Sequence, residues 1–318
     1  MGAFNAEAWQ RVAYPVSHDT PVAEDVTQLA GCGLLSRTGK AAPMGYETIN
    51  VTQATPRIGA TVEGVTLSKP VSNRQVEELH QALAEHQVLF FRDQPLDVEA
   101  HKRFGRYFGE LHIHPSTPGP EGHPEILPIH ADANSRRING EYWHSDVSCD
   151  EEPPMGSILY LHTVPDCGGD TLFASQYAAY DALSPRMKAY LEGLTATHSG
   201  DHVYRRNNAL MGLHETGKVY PKASHPVVRT HPVTKRKAVY VNGDFTTHID
   251  GLPRDEGRAI LDFLCEFSTR EEFQVRFRWQ PHSVAFWDNR CVQHQALWDY
   301  YPQTRSGRRV TIKGDRPV

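Results

Sequence analysis

Residues 273–279, FQVRFRW, constrain the fold more than any other stretch. Phe273, Val275, Phe277 and Trp279 fall on one face and Gln274, Arg276 and Arg278 on the other. A period of two marks a strand with one face buried and one face in water. Further short strand candidates run through the chain at 47–51 (ETINV), 59–67 (GATVEGVTL), 88–91 (VLFF), 158–164 (ILYLHTV), 169–175 (GDTLFAS), 225–230 (HPVVRT), 237–242 (KAVYVN), 283–288 (SVAFWD) and 308–315 (RRVTIKGD). Strands set apart by turn signals, without a helix regularly following each one, predict an antiparallel sandwich or jelly roll, mostly β with flanking helices.

Helical periods are fewer. Residues 72–87 place Val76, Leu79 and Leu83 on one face, and a second helix is expected over 97–108. Residues 175–194 read as helical with a break at Ser184-Pro185, where serine can cap and proline can open a new helix. A last helix over 253–268 carries Ile260, Phe263, Leu264 and Phe267 as a core-facing stripe. Residues 1–45 show no sustained period and read as an N-terminal extension to a single domain at 46–318.

Composition removes several classes of function. With 318 residues, 39% hydrophobic and 22% charged, the chain can bury a full core. A formal charge of -5 argues against nucleic acid as the partner. The five cysteines, Cys32, Cys149, Cys167, Cys265 and Cys291, form no CxxC pair, so a reducing cytoplasm is expected. The first residues lack a basic start followed by an apolar run, and no stretch approaches the roughly 18 to 20 apolar residues of a membrane span. Neither export nor membrane attachment is expected.

The chemistry-bearing candidate is EYWHSDVSCDEEPP, residues 141–154, with His144 and Asp146 one residue apart. On an extended strand such residues point to the same side, about 6 to 7 Å apart, and can converge on one ion. The tripeptide alone decides little: His130 with Asp132 and His248 with Asp250 repeat it in a chain of 18 histidines. A third ligand must come from elsewhere, and His294 in residues 286–317, followed by Arg305, Arg308 and Arg309, is a candidate. Two histidines and one carboxylate suit non-haem Fe(II) and leave positions open for chemistry. An arginine fork beside them would suit a dicarboxylate.

The order of these pieces carries a resemblance. HQVLFFRDQ, FGELHIHP, WHSD, GGDTLFAS, HPVVRTHP, YVNGDFTT, FQVRFRWQP, WDNRCVQH and RRVTIKGD follow one another as in the taurine dioxygenase (TauD/TfdA) family of Fe(II)- and 2-oxoglutarate-dependent oxygenases, which the chain resembles from about Ile49 onward. The resemblance implies a double-stranded β-helix core of the jelly-roll, cupin-like kind. It implies His144, Asp146 and His294 as the iron ligands and as the catalytic centre. It implies Arg305 and Thr171 on the far carboxylate of 2-oxoglutarate, with O2 as second cosubstrate. It implies His114 and Arg309 on the anionic head group of the substrate, with Phe245 as a pocket aromatic. The expected reaction hydroxylates a small organic anion, a taurine-like sulfonate before others, releasing sulfite and an aldehyde. Aryloxyalkanoates, alkyl sulfates and other carboxylic acids are the alternatives, and a dimer or tetramer would be in keeping with the resemblance.

Three positions depart from the taurine enzymes. Thr117 stands where a tyrosine is expected, Cys149 where a phenylalanine is, and Gly140 where an asparagine is. Smaller side chains predict a roomier pocket and a substrate bulkier than taurine. The cysteines read as small buried hydrophobes, with Cys149 the one that its place in the matched pocket would open to oxidation. Other classes fit less well. A jelly-roll binding protein without catalysis would have no use for the complete ligand set. A zinc hydrolase lacks its HExxH, there is no GxSxG, and GLLSRTGK at 33–40 has five residues between its glycines where a phosphate loop has four.

Overall fold

The structure is a computed structural model that describes residues 45–117, 119–210 and 217–318. In chain order its strands are β1 (Asn50–Gln53), β2 (Ala60–Glu63), β3 (Val88–Phe91), β4 (Leu127–Ala131), β5 (Gly156–Thr163), β6 (Thr171–Ser175), β7 (Thr195–Ser199), β8 (Lys222–Pro226), β9 (Val228–Thr230), β10 (Lys237–Val239), β11 (Thr246–Ile249), β12 (Gln274–Phe277), β13 (Ser283–Asp288), β14 (Val292–Ala296) and β15 (Arg305–Ile312). Its helices are α1 (Asn73–His86), α2 (Val98–Arg106), α3 (Gln176–Ala182), α4 (Pro185–Leu191), α5 (Asp201–Leu210) and α6 (Arg254–Phe267).

A seven-stranded sheet in the order β1-β2-β3-β13-β5-β15-β4 organises the rest, antiparallel except where β2 meets β3. On one face lie α1 and α2, whose Leu79, Leu83 and Phe104 pack with Leu89, Phe91, Val284, Phe286 and Val310. Against the other face lies a three-stranded sheet, β12-β6-β14, whose Val275, Phe277, Phe173 and Val292 close onto Phe90, Leu159, Ala285 and Trp287. Side chains of β13 therefore alternate between two cores, and every residue of SVAFWD is buried. Strands covered on both sides read as unbroken apolar runs, as VLFF also does. Each large side chain so buried contributes about 1.5 to 3 kcal/mol. The smaller sheets β11-β7-β8 and β10-β9 share a third core with α3, α4 and α6.

Local chemistry sets the element ends. Ser72 accepts from the Gln75 N–H while the Gln75 side chain takes the Ser72 N–H, a reciprocal cap for α1. Ser184 caps α4 with Pro185 in its first turn, so the helix expected over 175–194 is two helices with a break where the sequence places it. Gly64, at φ +82°, turns the chain after β2, and the strand expected over 59–67 stops there. HPVVRT was expected as one strand and is two, because the Val227 N–H donates to the Leu194 carbonyl and β9 pairs with β10 instead. Strands β4, β7, β11 and β14 and helix α5 were not anticipated. The extension expected at 1–45 lies, through residue 44, outside the described residues. No described helix is long and apolar enough to cross a membrane.

Two consequences are measurable. Gly307 sits in β15 at a register shift against β5, and a Cβ there would lie 2.0 Å from the Tyr160 carbonyl oxygen. Gly307→Ala is expected to cost about 2 kcal/mol or more by denaturant unfolding, because the rigid partner is backbone. His101 of α2 is fully buried, holds the Ile158 carbonyl at 3.1 Å, and has its pKa pushed down to about 3 by burial and by Arg308. Between pH 6.5 and 3 the unfolded chain therefore binds a proton that the folded chain refuses. Stability falls as pH drops through that window, by on the order of 1 kcal/mol per pH unit from this side chain. His101→Gln, which keeps an N–H donor, should flatten that slope in unfolding curves taken from pH 7 to 4.

Candidate active site

His144 meets His294 through backbone pairing. The two form an antiparallel bridge in which each N–H donates to the other's carbonyl, at 3.1 and 2.9 Å. The bridge carries the segment before β5 onto the middle of β14. It sets the imidazoles 4.2 Å apart by ring centroid, and Asp146 follows two residues on. Asp146 Oδ1 lies 3.5 Å from His144 Nε2 and 3.9 Å from His294 Nε2, with all three residues buried. One ligand atom from each lies within 4.8 Å of the others.

The protonation pattern suits a cation. His144 Nδ1 donates to the Tyr142 carbonyl at 2.7 Å, which leaves Nε2 as a lone-pair donor facing the carboxylate. His294 is held by packing against the Trp287 ring, 4.5 Å between centroids. Burial, before the closeness of the His144 ring, keeps its pKa well below the usual histidine range. Burial alone would raise the Asp146 pKa, but Arg309 and the two imidazoles hold it well below the ordinary carboxylate range. Arg309 touches Asp146 Oδ1 at 2.5 Å, and Ser157 Oγ donates to Oδ2 at 2.6 Å.

Other clusters of the same residue types lack this character. His130 and His248 are exposed, and Asp250 is taken up by the hydroxyls of Thr195, Thr197 and Ser224. A buried group of His231, Asp288 and Cys291 is closed: His231 Nδ1 accepts two backbone N–H groups, and Arg290 grips Asp288.

Arg305, the first residue of β15, is buried a strand away. Its Nε donates to the Gly169 carbonyl at 3.1 Å and its NH2 to Thr171 Oγ1 at 3.3 Å. Trp279 Nε1 donates to the same oxygen at 3.0 Å. Burial lowers the guanidinium pKa to about 10, so it stays charged at neutral pH. Among the described residues no carboxylate lies within ion-pair distance of it. A buried charge without a counter-charge is costly, so this arrangement asks for an anion. Trp279 reads in the sequence only as one more residue on the buried face of FQVRFRW; its indole N–H has no sequence signal.

One cavity joins these groups, and His114, Thr117, Gly140, Tyr204, Phe245 and Arg309 line its remaining walls. His114 Nδ1 accepts the N–H groups of Ser116 and Thr117 at 3.2 and 3.1 Å, which places its own N–H on Nε2. Burial, with help from Arg309, pushes its pKa down to about 3, so it is a neutral donor. Gly140, at φ +81°, brings its backbone against His144, and a Cβ there would lie 3.2 Å from His144 Cε1.

Cys149 corrects an expectation. It is fully buried behind the wall, with Sγ 3.8 Å from Tyr204 Oη, and burial raises its thiol pKa to about 12. It neither enlarges the cavity nor offers a reactive thiolate. The Tyr204 ring lines the cavity there, edge-on to Phe245 at 6.0 Å and to His114 at 5.6 Å. Tyr204 belongs to α5, whose polar run DHVYRRNNAL hides its two buried apolar residues. Arg305→Gln is expected to weaken binding of a carboxylate ligand in this cavity about 30-fold or more by calorimetry, since truncating one partner of a buried charge pair costs about 2 to 5 kcal/mol.

A family model described as "Taurine catabolism dioxygenase TauD, TfdA family" matches residues 50–311. A Saccharomyces cerevisiae protein named "Alpha-ketoglutarate-dependent sulfonate dioxygenase" is 34% identical over 283 residues, 85% of this chain and 68% of its own. A Pseudomonas putida "Alpha-ketoglutarate-dependent sulfate ester dioxygenase" is 36% identical over 286 residues, 87% of this chain and 93% of its own. A crystal structure of a taurine dioxygenase from Burkholderia xenovorans superposes with a TM-score of 0.74 at 36% identity, covering 86% of this chain and 91% of that one. The chain belongs to the TauD/TfdA family of dioxygenases.

Proposed function

We propose that residues 46–318 form a single catalytic domain with a jelly-roll core. In this reading it is an Fe(II)- and 2-oxoglutarate-dependent dioxygenase that hydroxylates a small organic anion, a sulfonate before other acids. The observation that carries this is the pairing of a buried two-histidine, one-carboxylate cluster with a buried, uncompensated Arg305 in the same cavity. His144, Asp146 and His294 would hold the metal, a donor set suited to ferrous iron with positions left open. Arg305 and Thr171 would hold the far carboxylate of 2-oxoglutarate, and Trp279 fixes the threonine hydroxyl for that task. When bound, iron with 2-oxoglutarate and O2 supplies the oxidation of a C–H bond, with succinate and CO2 as coproducts.

The chain's own residues then bind and orient. His114 presents a neutral N–H and Arg309 a permanent charge to an anionic head group. Phe245 and Tyr204 enclose the carbon skeleton and keep water off. Catalysis by such a site rests on placement of the target bond more than on proton transfer. Thr117 in place of a larger side chain supports a sulfonate bulkier than taurine.

A sulfate ester is the second reading, favoured by the Pseudomonas relative's named activity. The products separate the two. Hydroxylation at a carbon bearing a sulfonate gives an aldehyde and sulfite, whereas the same step beside a sulfate ester gives an aldehyde and sulfate. Purified protein with Fe(II), 2-oxoglutarate, ascorbate and O2 should form succinate and sulfite in equal amounts from a sulfonate. Succinate with sulfate from esters, and no sulfite from any sulfonate, would move the substrate to the second class.

A further inference from the structure

Behind Asp146 lies a chain of buried hydrogen bonds whose direction is fixed. Ser157 in β5 and Asn289 in the turn between β13 and β14 are both about 99% buried or more. Asn289 Oδ1 accepts from Trp287 Nε1 at 2.8 Å and from the Asp146 backbone N–H at 3.4 Å. An indole nitrogen and a backbone amide can only donate, so this end of the Asn289 amide is the oxygen and the other is the NH2. That NH2 donates to Ser157 Oγ at 3.1 Å. With its lone pair so engaged, the serine directs its single hydrogen to Asp146 Oδ2, at 2.6 Å. The two oxygens of Asp146 therefore differ: Oδ2 is tied to the sheet behind it, and Oδ1 faces His144, His294 and Arg309.

We propose that Ser157, aligned by Asn289, is a positioning residue that holds Asp146 Oδ2 away from the metal and leaves Oδ1 as the oxygen offered to it. The inference rests on the metal-centre reading above. Such supports behind a ligand set its orientation before the ion arrives, and losing one typically weakens metal binding about 10- to 100-fold. Neither residue touches the cavity, so the effect should appear in metal binding before any substrate is added.

The test uses Co(II), a spectroscopic stand-in for Fe(II), titrated into the full chain and into Ser157→Ala, Asn289→Ala and the double variant. Expected is one tight site in the wild type and a 10- to 100-fold weaker Kd in each single variant. The visible Co(II) bands should also shift, a change that general loosening of the fold would not produce. The double variant should lose less than the two single losses added together, because Asn289 reaches Oδ2 through Ser157, beside its own hold on the Asp146 backbone N–H. Should one single variant not fold, the other still reports on the same chain of bonds. Wild-type Kd and spectrum in a folded single variant, or losses that simply add in the double, would overturn the proposal. A wild-type chain that binds no metal would overturn it together with the reading on which it rests, and the wild-type arm alone reveals that case.

Discussion

The structure depends on one backbone pairing, the exchange of hydrogen bonds between His144 and His294. These residues are 150 positions apart in the chain, and what brings them together is the paired backbone, with the rings 4.2 Å apart as its result. The pairing is possible because β14 is an edge of the β12-β6-β14 sheet and has a ladder position to spare. The segment before β5 fills it, and the same segment runs on into the centre of the large sheet. The cavity thus lies where the two sheets are tied to each other, so its ligand candidates stand on paired backbone.

Charge placement follows from that geometry. Asp146, Arg309 and Arg305 are all buried within reach of one cavity, and a closed core would not tolerate such a set without partners. Asp146 and Arg309 satisfy each other in part. Among the described residues Arg305 meets a carbonyl, a hydroxyl and the face of the Trp279 ring, all neutral. The fold accepts this cost beside β15, where Gly307 lets the strand approach the Tyr160 carbonyl closely and so fixes Arg305 and Arg309 on either side. The uncompensated charge is the part of the molecule that packing alone does not explain.

Much of the fold was legible where one physical cause dominated. FQVRFRW has one face to a core and one to water, and Phe273, Val275, Phe277 and Trp279 are buried as its alternation requires. The helix break at Ser184-Pro185 follows from a cap and a fixed φ. By contrast β14, VQHQA, looks nothing like a strand, because its polar side chains find buried partners: Gln293 donates to the Val241 carbonyl and Gln295 to that of Glu141. Helix α5 was hidden by its charged residues, and with it went Tyr204. For the site, spacing offered three His-x-Asp pairs without a means of choosing. The order of motifs singled out the one pair that the structure brings to a third ligand candidate. Cys149 was placed at the pocket wall by its match to a family position, and the structure buries it against Tyr204, outside the cavity lining. Ser157 and Asn289 were illegible, since a serine at the head of an apolar strand looks like core until its hydrogen is traced.

The central claim is that this convergence holds a ferrous ion, and anaerobic titration of the metal-free protein with Fe(II), followed by equilibrium dialysis, tests it most directly. The account predicts one tightly held iron per chain in the wild type and its loss in Asp146→Ala. Stoichiometric iron retained by a folded Asp146→Ala variant would contradict it.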